Sequence, residues 1–267
     1  MNNMKNFLTL FLFMGLTSVY SQVPYSTFKS FDQIEIAYSD RGEGSPVILF
    51  HGFISSGKSW ESAALTKELL SQGYRVIIPD LRGNGNSEKS HVISSYDNDA
   101  EVKDIDALVK ELKITSYMAI GYSRGAIVLA KLLSQDSRIT KAVLGGMGID
   151  FTNPDWNRRI MFQKAFSGEE PLNETTRGAV NYAKSIGADL EILSYLQKYQ
   201  PVTSIDELHS INAQTLVIAG DQDKDNGDPK DLSEAIKNAE LVIIPGDHNN
   251  TYKTQEFANK VLDFLKD

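Results

Sequence analysis

Cysteine is absent from the 267 residues. That excludes disulfides, thiolate zinc sites, iron–sulfur clusters and a cysteine nucleophile together. Histidine is scarce, with four in the chain, which argues against a multi-histidine metal centre. Basic residues number 27 against 35 acidic ones, the formal charge is −8 and no basic cluster stands out. A nucleic-acid partner is therefore not expected. Glycine and proline, at 19 and 8, are far too few for collagen or a low-complexity chain. No internal repeat is visible. What remains is ordinary globular composition, 41% hydrophobic and 23% charged. The length suffices for one large α/β domain or two smaller ones.

The first residues read as an address. Lys5 supplies a positive end, and Phe7 to Leu16 form a ten-residue apolar run. That is too short to cross ~30 Å of hydrocarbon. Val19-Tyr20-Ser21 places a medium apolar and a small residue at the −3 and −1 positions of a cleavage site. The pattern predicts a secretory signal peptide over residues 1–21, cleaved after Ser21. No cysteine follows to carry a lipid, so a secreted or periplasmic protein without a stable membrane anchor is expected.

Beyond it, short apolar runs end on turn residues. Pro46 to Phe50 ends at His51-Gly52, Tyr74 to Ile78 at Pro79-Asp80, and Tyr117 to Ile120 at Gly121. Ala142 to Leu144, Leu216 to Ala219 and Leu241 to Ile244 end the same way, on Gly145, Gly220 and Pro245-Gly246. Runs without polar alternation are strands buried on both faces. Tyr25 to Ser30 and Ile34 to Tyr38 read as an opening hairpin. Helical periodicity appears at Val102, Ile105, Leu108, Val109 and Leu112, after Gly125, and at Phe257, Val261, Phe264 and Leu265. Alternating strands and helices predict an α/β fold whose sheet is mostly parallel, with helices on both faces. Residues 149–210 break the rhythm: they are polar and helical, with no buried strand. They are expected to form a helical cap inserted between core segments 22–148 and 211–267.

In parallel sheets, sites lie at the carboxyl ends of the strands. Four clusters fall there. Gly121-Tyr122-Ser123-Arg124-Gly125 is G-x-S-x-G between a strand and a helix. Its glycines permit a reversal so tight that the serine hydroxyl is thrust out. His51-Gly52-Phe53 follows the first buried run. The backbone N–H groups of Phe53 and Arg124 are placed to meet a developing oxyanion. His51 itself is read as orienting its loop. Gly220-Asp221-Gln222-Asp223 and Gly246-Asp247-His248 complete the order Ser, Asp, His. A serine hydroxyl becomes a nucleophile when an imidazole takes its proton, and the imidazole needs a carboxylate to fix its tautomer.

With these residues the chain resembles the α/β-hydrolase family over residues 25–267. Asp80-Leu81-Arg82-Gly83-Asn84-Gly85-Asn86-Ser87 looks like the family's D-x-R-G-x-G-x-S loop. The resemblance implies an eight-stranded sheet with a helical cap. It implies Ser123 as nucleophile, His248 as general base and acid, Asp223 as orienting acid, and Phe53 and Arg124 as oxyanion donors. It implies residues 149–210 as a lid over an acyl pocket, and no cofactor. Relatives that split epoxides or carbon–halogen bonds carry aspartate where this chain has Ser123. The expected activity is hydrolysis of a small acyl ester, lactone or amide by a secreted serine hydrolase, with a small-molecule acyl substrate as the partner. A weakly catalytic binding protein, a carbon–carbon hydrolase and a perhydrolase on the same triad are the alternatives.

Several readings stay open at this stage. Asp221 or Asp225 could replace Asp223 as the acid. Asp221 to Asp228 partly matches a calcium loop, but positions 6 and 12 hold Asn226 and Leu232 instead of glycine and a bidentate acid. The Arg124 side chain either biases the pocket towards anions or forms a salt bridge with a cap carboxylate, the second being preferred. His91 and His209 read as solvated loop or lid residues.

Overall fold

The computed structural model describes residues 24–266. The expected signal peptide lies outside the described residues. An eight-stranded sheet carries the chain, in the order β1-β2-β4-β3-β5-β6-β7-β8. The opening hairpin is β1 (Ser26–Lys29) and β2 (Glu35–Arg41). Both of its ladders, to each other and from β2 to β4, are antiparallel. The other six strands pair in parallel: β3 (Pro46–Phe50), β4 (Arg75–Pro79), β5 (Tyr117–Tyr122), β6 (Ile139–Gly145), β7 (Gln214–Gly220) and β8 (Ala239–Ile244).

Alternation along the strands feeds two apolar layers. Ile48, Phe50 and Ile77 face the helices α3 (Ala100–Glu111), α4 (Arg124–Leu133) and α9 (Pro229–Glu234). Val47, Leu49 and Ile78 face α1 (Lys58–Glu61), α2 (Ala64–Ser71) and α10 (Gln255–Lys266). The α3 periodicity read from the sequence buries Val102, Ile105, Leu108 and Val109. Both sheet faces are thus covered, as a parallel sheet requires.

Between β6 and β7 the chain forms a short 3₁₀ turn and then α5 (Asn157–Ser167), α6 (Glu174–Ser185), α7 (Leu190–Lys198) and α8 (Ile205–His209). Local signals fix their ends. Asn173 and Thr176 form a reciprocal capping box on α6, and Ser204 and Glu207 do so on α8. Asp189 accepts from two backbone N–H groups at the start of α7. Helices α5, α6 and α7 share a separate cluster, with Phe166, Val180, Ala183, Ile192 and Leu196 packed against Ile54 and Tyr96 of the core loops, while Leu208 of α8 packs in the main core. Among the described residues no helix is long and apolar enough to cross a membrane.

Candidate active site

Ser123 sits between β5 and α4 with φ +55° and ψ −125°. That conformation costs about 1–3 kcal/mol for a residue with a side chain and persists only where its surroundings impose it. The flanking glycines explain how. A Cβ on Gly121 would lie 2.4 Å from the Gly125 carbonyl oxygen, and one on Gly125 would lie 2.3 Å from that of Phe50. The helix therefore starts in van der Waals contact with β3. The Ser123 N–H donates to Gly145 O at 2.8 Å, which fixes the turn against β6.

The relay closes around it. Ser123 Oγ lies 2.8 Å from His248 Nε2, and His248 Nδ1 lies 2.7 Å from Asp223 Oδ2. A carboxylate only accepts, so Nδ1 carries the proton and Nε2 is free to accept from the serine hydroxyl. The Asp223 side chain is 4% exposed, that of His248 22%. The carboxylate is shielded while the imidazole edge faces the cavity.

The neighbouring aspartates have other work. Asp221 Oδ1 accepts from the Gly246 N–H, Asp225 pairs with Arg158, and Asp228 caps α9. They are thus spread over separate tasks, and no cluster of three or more candidate metal ligands occurs among the described residues. Asp247, whose place before the histidine had no reason in the sequence, accepts from the Asn249 and Asn250 backbone N–H groups. Bonds from Asn250 and Asn249 hold its carboxyl below the usual carboxylate range. It shapes the turn that presents His248.

His51 orients its loop. Its Nε2 accepts from the Leu81 N–H at 3.0 Å, so Nδ1–H donates to Gly52 O at 2.9 Å. Burial pushes this imidazole below its ordinary range, which keeps it neutral and able to accept. Gly52 then lies against Ser123, its Cβ direction 3.4 Å from the serine Cβ. The Phe53 and Arg124 N–H groups have no hydrogen-bond partner among the described residues.

The Arg124 side chain needs a correction. Its partner is not a cap carboxylate but Glu101 on core helix α3. Arg124 Nη1 donates to Glu101 Oε1 at 2.6 Å and Nη2 to Oε2. From the cap comes a backbone carbonyl, Leu196 O, at 2.9 Å. Both side chains are 4% exposed. The guanidinium points away from the cavity and ties α4, α3 and α7 together. His91, on the surface, pairs with Asp189 and Glu191 of α7, and His209 is exposed.

Other contributors leave no mark in the sequence pattern. Tyr122, the variable residue of the elbow, donates from its hydroxyl to His248 O at 2.9 Å. Its ring lies beside the imidazole, tilted by 42° with centroids 5.6 Å apart. Asn226 donates to Gly146 O and brings its amide within 3.3 Å of His248 Nδ1. Thr251, fully buried, donates to Asp247 O at 2.7 Å. The Asp80 loop supports the same rim: Asp80 accepts from the Gly57 and Asn86 N–H groups at 2.7 Å each. Arg82 is buried between Asp104 and Asp32.

A cavity of about 540 Å³ opens over Ser123 and His248, walled by Phe53, Trp60, Tyr122 and Tyr252 from the core and by Gly178, Ala179 and Tyr182 from α6. The site is thus a part-buried serine on a strained turn, its hydroxyl bonded to an oriented imidazole, under an aromatic roof.

Fold and site together define an α/β hydrolase. The chain belongs to the α/β-hydrolase fold family, whose profile matches residues 45–177. A Synechocystis sp. protein provisionally named a non-heme chloroperoxidase is 31% identical over 250 residues, covering 80% of this chain and 87% of its own. The non-heme chloroperoxidase CPO-A1 of Kitasatospora aureofaciens is 26% identical over 273 residues, covering 88% and 97%. Among solved structures, a bromoperoxidase from Bacillus anthracis superposes with a TM-score of 0.69 at 26% identity, over 91% of this chain and all of the other. An esterase from Exiguobacterium antarcticum superposes at 0.70 with 20% identity, over 91% and 99%, a likeness of fold alone.

Proposed function

We propose that this chain is a serine hydrolase that cleaves small acyl esters through an acyl-enzyme on Ser123. The observation that carries the reading is the unbroken relay, 2.8 Å from Ser123 Oγ to His248 Nε2 and 2.7 Å from His248 Nδ1 to Asp223. As Oγ attacks the acyl carbon, its proton passes to Nε2 and the carbonyl electrons move onto oxygen. The Phe53 and Arg124 N–H groups donate to that oxyanion. Asp223 stabilises the imidazolium without taking its proton. Collapse breaks the ester bond, and the leaving alkoxide takes the proton from Nε2. Water then attacks the acyl-enzyme, giving its proton to Nε2. The second collapse releases the acid and returns the proton to Ser123 Oγ.

The experiment is turnover of short p-nitrophenyl esters. Ser123→Ala and His248→Ala should abolish it while the circular dichroism spectrum stays native. Turnover persisting in purified Ser123→Ala overturns the reading.

A second reading has its own support in the names of the relatives. If hydrogen peroxide replaces water at the second step, the same acyl-enzyme releases a peracid, which oxidises bromide in solution. Bromide oxidation that requires acetate, peroxide and Ser123 together would favour it. Its absence beside active ester hydrolysis would exclude it. Export is proposed as well, on the leader sequence. The test is N-terminal sequencing of the secreted or periplasmic chain, with Gln22 expected first.

A further inference from the structure

The cavity over Ser123 does not stand alone. A second one of about 570 Å³ lies beside it. The two share four wall residues, Ile54, Ser55, Ser59 and Tyr182. Either chamber alone has the size of a drug-sized ligand pocket, about 300–1,000 Å³. A short acyl ester leaves the second chamber unused. The partition is slight: a core loop at Ile54, held at φ +51°, and the half-exposed Tyr182 of α6.

The charges lining the two chambers reverse the balance of the chain. Over the whole sequence acids outnumber bases, 35 to 27. The chambers are lined by Lys58, Lys89 and Lys253, against a single carboxylate, Asp189. Asp189 already has a partner in His91, at 3.1 Å. None of the three lysines has a carboxylate within ion-pair distance among the described residues. Lys89 Nζ rests on the neutral Gly85 carbonyl at 2.5 Å, and Lys253 lies over the Tyr252 ring at 5.4 Å. Arg124 supplies nothing here, since Glu101 takes both of its terminal nitrogens. A concave surface with an excess of one charge raises the local concentration of the opposite charge.

We propose that the substrate class is the acyl ester with a carboxylate at its far end, such as a half-ester of a dicarboxylic acid. The ester carbonyl sits at Ser123, the chain passes Tyr182, and the carboxylate lies in the second chamber near Lys58 and Lys89. This rests on the reading of Ser123 as an acyl-transfer nucleophile.

The test compares mono-p-nitrophenyl esters of C4 to C10 dicarboxylic acids with p-nitrophenyl esters of neutral acids of equal length. The quantity read is the charged-to-neutral ratio of kcat/KM, which cancels any general loss of activity. The wild type should favour the charged ester at an optimal length by about fivefold to tenfold at low salt. The preference should shrink as salt rises. In the Lys58→Glu, Lys89→Ala double variant the ratio should fall to one or below. A ratio of one in the wild type, or a preference that the double variant keeps, overturns the proposal. A second measurement separates this from the parent reading: calorimetric binding of the monoamides of the same acids to Ser123→Ala, which cannot form an acyl-enzyme at this position. Charge-dependent binding without ester turnover by the wild type would retain the anion site and remove the hydrolase assignment. Binding indifferent to the carboxylate would remove the site.

Discussion

Gly125→Ala is the sharpest probe of how the fold holds Ser123 in its turn. The added methyl would stand 2.3 Å from the Phe50 carbonyl oxygen and 2.7 Å from that of His51. Both obstacles are backbone, so no side chain can rotate away. Ordinary contact requires the start of α4 to retreat from β3 by about 1 Å. Forced overpacking of this kind costs about 1–3 kcal/mol. For a domain of this size each kcal/mol lowers Tm by about 2–4 °C, so a fall of about 2–12 °C is expected. The larger effect falls on chemistry. The retreat carries the Arg124 N–H and the Ser123 hydroxyl together, and a 1 Å misplacement typically costs about a hundredfold in rate. Thermal unfolding and kcat/KM on p-nitrophenyl acetate, measured on the same preparation, report both. Activity within threefold of wild type at unchanged Tm would refute the argument that β3 and α4 are in contact here.

Other outcomes follow from the buried groups. Glu101→Gln leaves the Arg124 guanidinium buried without its counter-charge, which typically costs about 3–5 kcal/mol. A Tm fall of about 6–20 °C is expected, and a fall under 2 °C would show that the pair is not buried as described. His51 titrates below its ordinary 6.5 because burial disfavours the imidazolium. The unfolded chain therefore binds a proton that the folded chain refuses once pH drops below about 6.5. Stability should fall with pH there, by up to about 1.4 kcal/mol per unit. Urea unfolding of wild type and His51→Asn between pH 7.5 and 5 checks this, and parallel pH profiles would contradict it. Tyr122→Phe removes the phenol that holds the His248 carbonyl at 2.9 Å. A drop in kcat of about tenfold with KM little changed is expected, part of the roughly 10²–10⁴-fold that general acid–base catalysis contributes; wild-type kcat would sink the assignment.

The sheet is legible in the sequence for a physical reason. Strands buried on both faces cannot hide their apolar runs, and each run stops on a turn residue such as glycine or proline, or on His51-Gly52, where the chain leaves the sheet. Ser123, His248 and the Asp223 loop stand at such stops, so the candidate site was readable from strand ends alone. Strand ends alone do not say which aspartate bonds His248, because Asp221, Asp223 and Asp225 differ only in where a short loop turns them; the family resemblance names Asp223, which is the one bonded. Helices α1, α2 and α9 went unread: α1 has four residues and α9 six, and α9 draws its stability from Leu232 packed on the sheet. The partner of Arg124 was equally hidden. Glu101 looks like a solvated acid at a helix start, and only tertiary packing buries it. The second chamber is a property of two surfaces meeting, α6 against the Asp80 and Ile54 loops, and no local pattern encodes it.

The central claim is that His248 makes Ser123 nucleophilic. Intact-mass spectrometry after treatment with a fluorophosphonate tests it without any choice of substrate. One adduct per chain, on Ser123, is predicted for the wild type, with labelling at least a hundredfold slower in His248→Ala. An unlabelled wild type, or equal labelling of the two proteins, would contradict the account.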